Sequence, residues 1–141
     1  MKDLQLETLV LGPVSTNCYL AKNRTSGALL IIDPADQAGL IAQKAAAMGG
    51  TPEAILLTHA HFDHIGAAQE LKCRYDIPIC ALDREREVLS DAEKNLTCWN
   101  GRGYTLQADR YFRDLELVNL AGFSIRVLHT PGHTVGSACY Y

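Results

Sequence analysis

Thr58-His59-Ala60-His61-Phe62-Asp63-His64 decides how this chain is read. The stretch has the form HxHxDH and directly follows Ala54 to Leu57, an apolar run that reads as a short buried strand. In extended backbone, residues two apart project to the same side, so His59 and His61 are placed to converge on one ion. Asp63 and His64 fall at the turn into a helix, where their side chains can face a second ion nearby. Imidazole and carboxylate suit zinc, iron or manganese, and the absence of cysteine ligands argues against a closed structural zinc site. A strand-to-helix turn also collects ordinary surface and capping residues, and Asp63 alone would read as a helix cap. Four fixed positions of scarce residue types at a strand end favour the metal site.

Outward from this motif the chain alternates strands and helices. Leu4 to Val10 reads as a strand with one buried face, broken by Gly12-Pro13, and Asn17 to Ala21 as a second strand. Ala28 to Ile32 is short and wholly apolar, ending at Asp33-Pro34. Asp36 is placed to cap an Ala-rich helix running to Met48, which Gly49-Gly50 stops. Beyond the motif, Ile65, Ala68, Leu71 and Lys72 recur at helical spacing, Ile77 to Ala81 reads as a strand, and a short helix is expected around Arg84 to Leu89. Leu115 to Leu120 and Phe123 to Leu128 form a hairpin about Ala121-Gly122, and Ser137 to Tyr141 begins one more strand. Strands running consecutively and then alternating with helices predict an α/β or α+β layered domain.

With 141 residues, 48% of them hydrophobic, the prior is one domain over residues 1–141. A formal charge of −3 gives no positive field to attract nucleic acid or anionic lipid. The longest aliphatic run near the N-terminus is Ala28 to Ile32, far short of a membrane span, and Asp3 and Glu7 spoil a secretory segment. The five cysteines, Cys18, Cys73, Cys80, Cys98 and Cys139, form no CxxC pair and read as small buried hydrophobes in a reducing compartment. A cytoplasmic protein is expected.

All five histidines lie in the motif or in His129-Thr130-Pro131-Gly132-His133. Together the two stretches resemble the metallo-β-lactamase-fold hydrolase superfamily, whose signature is HxHxDH at a strand end and whose third motif looks like His129 to Thr134. The resemblance implies that His59, His61 and His133 bind the first metal, and Asp63 and His64 the second. It implies two ions per complete site, zinc first, with iron or manganese as alternatives. Asp63 would be a ligand and would orient the attacking hydroxide. Asp33 matches a family position close to the site, its alternative being a plain turn residue. His129 would be structural, and Gly132 would let the backbone turn beside the metal. Thr16-Asn17-Cys18-Tyr19, Ile31-Ile32-Asp33-Pro34 and Ala108-Asp109-Arg110 are similar to the type II glyoxalases, the hydroxyacylglutathione hydrolases.

That likeness implies attack on a thioester or ester carbonyl of a small molecule by a metal-bound hydroxide, with a lactonase as the alternative. A β-lactamase is less favoured, since no signal peptide is seen. Arg84, Arg86, Arg102, Arg110 and Arg113 are candidates to reach a substrate carboxylate, and Trp99 and Tyr104 to line a pocket, Trp99 being as readily a core residue. Family members continue beyond the third motif to a bridging Asp and a final His, which have no counterpart in Thr134 to Tyr141. The expectation is therefore the N-terminal part of an αββα sandwich, with weak or no activity and one metal or fewer per chain. The contrasting reading is a non-catalytic partial fold that completes its sheet as a homodimer or by strand swapping at the C-terminal edge.

Overall fold

The structure is a computed structural model that describes residues 3–141. Its central layer explains why two stretches of the chain carry almost no polar residues. β1 (Leu4–Leu11), β2 (Thr16–Asn23), β3 (Ala28–Ile32), β4 (Thr51–Leu56), β5 (Ile79–Leu82) and β6 (Arg110–Phe112) form one sheet in that order. The first three strands pair antiparallel, and β3 to β6 pair in parallel. Parallel strands at a sheet centre are covered on both faces, so both sets of alternating side chains must be apolar. On one face Leu29, Ile31, Ile55, Ile79 and Ala81 meet the helices. On the other, Leu30, Ala54, Leu56, Cys80 and Leu82 meet a second sheet.

The helical layer consists of α1 (Ala38–Ala47), α2 (Phe62–Ile65), α3 (Ala68–Tyr75) and α4 (Arg86–Leu89), and all four bury their apolar residues against the same face. The second sheet is the antiparallel set β7 (Leu117–Leu120), β8 (Phe123–His129) and β9 (Ala138–Tyr140). Val118, Ile125, Val127 and Ala138 pack it onto the six-stranded sheet around Phe112, which is fully buried. The layers are thus helix, sheet, sheet, as expected for the first part of an αββα sandwich. Three strands cannot cover six. Over β1 to β3 an apolar groove of about 990 Å³ remains, lined by Leu4, Leu6, Tyr19, Leu30, Ile125 and Tyr140.

Several sequence expectations change here. The face of β1 carrying Leu6 and Val10 borders open space, and these residues are 54% and 63% exposed, while Leu11 on the opposite face is buried. Asp36 does not cap α1. The cap position is Gln37, in the left-handed region at φ 54°, and Asp36 accepts its N–H through Oδ1 at 2.7 Å. The single helix expected from Ile65 is two, α2 and α3, separated at Gly66-Ala67, where the Ala67 N–H donates to the Pro34 carbonyl at 2.9 Å instead of along the helix and Gly66 leaves no room for a Cβ against the Ala35 carbonyl. β5 starts two residues later than expected, and β6 was not anticipated. Of the cysteines only Cys18 and Cys80 are buried, and burial pushes both thiols up to about 12, whereas Cys73, Cys98 and Cys139 are exposed. Trp99 is 82% exposed and belongs to no core. No helix among the described residues is long and apolar enough to cross a membrane.

Candidate metal centre

β3 and β4 end side by side, and their ends build the site. Asp33, just past β3, is held at φ 51°, a strained conformation for a residue with a Cβ, and is 3% exposed. What holds it there is Thr58, just past β4. The Thr58 N–H donates to Asp33 Oδ1 at 2.7 Å and the Thr58 hydroxyl to Oδ2 at 2.6 Å. Asp33 is therefore not a plain turn residue; it fixes the backbone that leads into His59. Its Oδ2 also lies 2.9 Å from His64 Nδ1, close enough for charge pairing although the ring N–H is not directed along a hydrogen bond.

Three imidazoles converge. One ring nitrogen each from His59, His61 and His133 lies within 4.8 Å of the others, and the ring centroids are 4.6 to 4.8 Å apart, with the rings nearly perpendicular. His61 Nδ1 and His133 Nε2 approach to 3.0 Å. His59 Nε2 is buried and has no partner among the described residues. An unpaired buried ring nitrogen is costly unless something fills the space it faces. That orphaned atom, in a set of imidazole nitrogen donors with no thiolate, fits a borderline divalent cation such as zinc. Burial first, and then the neighbouring imidazoles of His64, His61 and His133, push His59 down to about 3, so its ring is neutral and able to ligate at neutral pH. His61 is lowered by burial and by His133.

Asp63 and His64 stand beside this cluster rather than inside it. The His64 ring lies tilted against that of His59, with centroids 3.9 Å apart, and its Nε2 is 3.4 Å from Asp63 Oδ2. Burial pulls His64 down, but the close approach of Asp33 and the charges of Asp33 and Asp63 outweigh it and leave it raised. Asp63 accepts a 2.5 Å hydrogen bond from Thr16 Oγ1 at the start of β2. A small pocket of about 120 Å³ opens beside Asp63, with Phe62, Thr97, Asn100 and Tyr104 in its walls. Its far wall is anchored to the motif, since Phe62 N–H donates to the Asn95 carbonyl at 2.8 Å.

His133 arrives from the loop between β8 and β9. Ala138 N–H donates to the Thr58 carbonyl at 2.8 Å, and Tyr140 hydroxyl to the Leu57 carbonyl at 2.7 Å, so the loop is stapled to the end of β4. His129 is a support for the same loop, its Nε2 standing 2.8 Å from the Val135 carbonyl oxygen. Gly132 takes φ 149°, a turn that a side chain would resist. Two of the candidate arginines are engaged elsewhere: Arg86 lies over the Tyr111 ring, and Arg110 over Phe112 beside Glu116. Arg84, Arg102 and Arg113 border neither the pocket nor the groove. From the sequence, Thr16 and Thr58 are named only as members of their motifs, with no role, and Glu85 is not singled out. Glu85 is 1% exposed among hydrogen bonds to both histidine loops, with burial raising its carboxyl against the lowering effect of those bonds.

A family profile described as the metallo-beta-lactamase superfamily matches residues 11–141. The chain is 39% identical over 132 residues to a probable metallo-hydrolase, YqgX, of Bacillus subtilis (strain 168), covering 92% of this chain and 62% of that protein. It is 29% identical over 136 residues to a hydroxyacylglutathione hydrolase, GloC, of Haemophilus influenzae, covering 94% and 64%. Among solved structures it superposes on the BLEG-1 B3 metallo-beta-lactamase with a TM-score of 0.88 and 34% identity, covering 97% of this chain and 66% of that one. The chain thus spans a little over three-fifths of the length of these curated relatives.

Proposed function

This chain belongs to the metallo-beta-lactamase superfamily, and from that premise we propose that it serves a metal-dependent hydrolase acting on a carbonyl, with a thioester as the substrate class. The observation that carries the reading is the convergence of His59, His61 and His133 with an unpaired buried nitrogen on His59. These three residues would hold the first ion, and Asp63 with His64 would contribute to a second. A divalent ion bound there supplies Lewis acidity that polarises a carbonyl and makes water acidic at neutral pH. The chain's own residues do the rest. Asp33 and Thr58 fix the backbone entering His59, so the first two ligands are presented without a search of conformations. Asp63, oriented by the Thr16 hydroxyl, presents a carboxylate oxygen at the mouth of the small pocket, where it can take a proton from or align an attacking water.

The thioester class is supported by the likeness to a hydroxyacylglutathione hydrolase. A second reading, β-lactam hydrolysis, is favoured by the superposition on a B3 metallo-beta-lactamase. The ligand set accommodates zinc, iron or manganese, and with three nitrogens in one cluster we propose one tightly held ion or fewer per chain. The cytoplasm fits five unpaired cysteines. Hydrolysis of a glutathione thioester, a lactone and a cephalosporin, each with added zinc, iron or manganese, separates the readings. We expect weak thioester turnover at most, which His59→Ala abolishes. Turnover of the cephalosporin alone moves the assignment to a lactamase, and turnover insensitive to His59→Ala refutes the metal-centred reading.

A further inference from the structure

Between the two histidine-bearing loops sits a carboxylate that the chemistry above does not use. Glu85 lies in the short turn of 3-10 helix after β5 and is 1% exposed. Its Oε1 accepts the N–H of Ala60, the residue between His59 and His61, at 2.8 Å. Its Oε2 accepts the Gly136 N–H and the Thr134 hydroxyl, each at 2.9 Å, and Thr134 directly follows His133. One oxygen is therefore committed to each loop. None of its hydrogen bonds comes from a cationic side chain, so the loops themselves are what satisfies this buried group.

Two further features depend on the same contact. A Cβ on Gly136 would stand 2.2 Å from the Glu85 nitrogen and 2.5 Å from the Arg84 carbonyl carbon, so this loop reaches Glu85 because position 136 has no side chain. Thr134 gives its hydroxyl proton to Glu85, which leaves Ser137 Oγ, at 2.7 Å, to donate to Thr134 and to accept the Thr134 N–H at 3.1 Å. The turn carrying His133 is closed on itself by that exchange, with Glu85 at its base.

We propose that Glu85 is a positioning residue: the two oxygens of its planar carboxylate set the separation between His133 and the His59–His61 pair, and so set metal affinity. Glu85 touches none of the three ring nitrogens and acts only through the loops that carry them. The inference rests on the metal-centre reading of the three histidines. An apolar residue could fill the same volume, but it could not bond both loops at once.

The test is zinc affinity of the 141-residue chain, stripped of metal and titrated in competition with a chromophoric chelator. Glu85→Gln keeps the shape but sets an NH₂ group against the donors of one loop. It should weaken zinc binding roughly 10- to 100-fold, as loss of groups that orient metal ligands does elsewhere. Cobalt substitution gives the accompanying signature, a weaker and shifted visible band in the variant. Thr134→Val removes one donor without touching the carboxylate and should weaken binding roughly 3- to 10-fold, in line with one hydrogen bond. The double variant should lose less than the product of the two. If Glu85→Gln lowers only the unfolding midpoint, with affinity per folded molecule unchanged, the residue is structural and the inference is overturned. If Glu85→Gln does not fold, Thr134→Val decides, and unchanged affinity there overturns it. A parent chain that binds no zinc removes the metal-centre reading itself, and the inference with it.

Discussion

Replacing Asp33 by Asn tests how the strained end of β3 is held. The change keeps size and shape, so cavity effects are small, and it removes the charge that receives three contacts: Thr58 N–H at 2.7 Å, Thr58 Oγ1 at 2.6 Å and His64 Nδ1 at 2.9 Å. The Asn oxygen can keep one of them. The Thr58 hydroxyl can rotate to accept from the new NH₂, and His64 must give up its Nδ1 proton. Two charge-assisted hydrogen bonds and one charge pairing thus become neutral contacts, each weaker by about 1 kcal/mol, and the sum is about 3 kcal/mol. At 3% exposure little solvent screening discounts the figure. Equilibrium urea denaturation of the metal-free chain at pH 7 measures it. With an m-value of about 2 kcal/mol/M the midpoint falls by about 1.5 M. The same variant removes the main influence raising His64, leaving burial to dominate, so the His64 titration followed by NMR should move below its ordinary value. A stability loss under about 1 kcal/mol together with an unmoved His64 would refute the reasoning.

In the metal-free chain, His59 is buried neutral at about 3 while the unfolded chain takes up that proton near 6.5. Its contribution to stability is therefore complete above pH 6.5 and is lost as pH falls toward 3. By pH 4.5 the loss is about 2–3 kcal/mol, and His59→Asn should flatten that slope in denaturation curves recorded across the range. Two glycines should respond with opposite signs. Gly39 faces open space in α1, and Gly39→Ala should stabilise by about 0.5–1 kcal/mol through helix propensity. Gly66→Ala meets the Ala35 carbonyl oxygen, and should destabilise by about 2 kcal/mol or more in thermal melts.

The residues that were legible in the sequence share a cause. β3 and the second half of β4, Ala54 to Leu56, are apolar on both faces because both faces are covered, and that unbroken run marks them directly, whereas Thr51-Pro52-Glu53 at the start of β4 carry no such run. The histidines stand out because their side chains are scarce and closely spaced, and the structure brings His133 next to His59 and His61. β6 was not legible because three residues carry no period. Its support is long-range: Asp109 N–H donates to the Ile79 carbonyl at 2.8 Å, and Ile79 N–H returns a bond to Asp109 Oδ2 at 2.9 Å. Glu85 was hidden for a similar reason, lying in a run of charged residues whose neighbours Arg84 and Arg86 are exposed. Leu6 misled in the opposite direction. Its alternation with polar residues promises burial, but the second sheet is too narrow to reach it.

X-ray absorption at the zinc edge of the chain loaded with one equivalent of zinc tests the central claim most directly, because it reports ligand type at the metal itself. Three imidazole nitrogens with the remaining position filled by oxygen, at about 2.0–2.1 Å, are predicted from His59, His61 and His133. His133→Ala should remove one of the three. Sulfur scattering at about 2.3 Å would place the ion on the exposed cysteines Cys73, Cys98 or Cys139 instead, and would contradict the account.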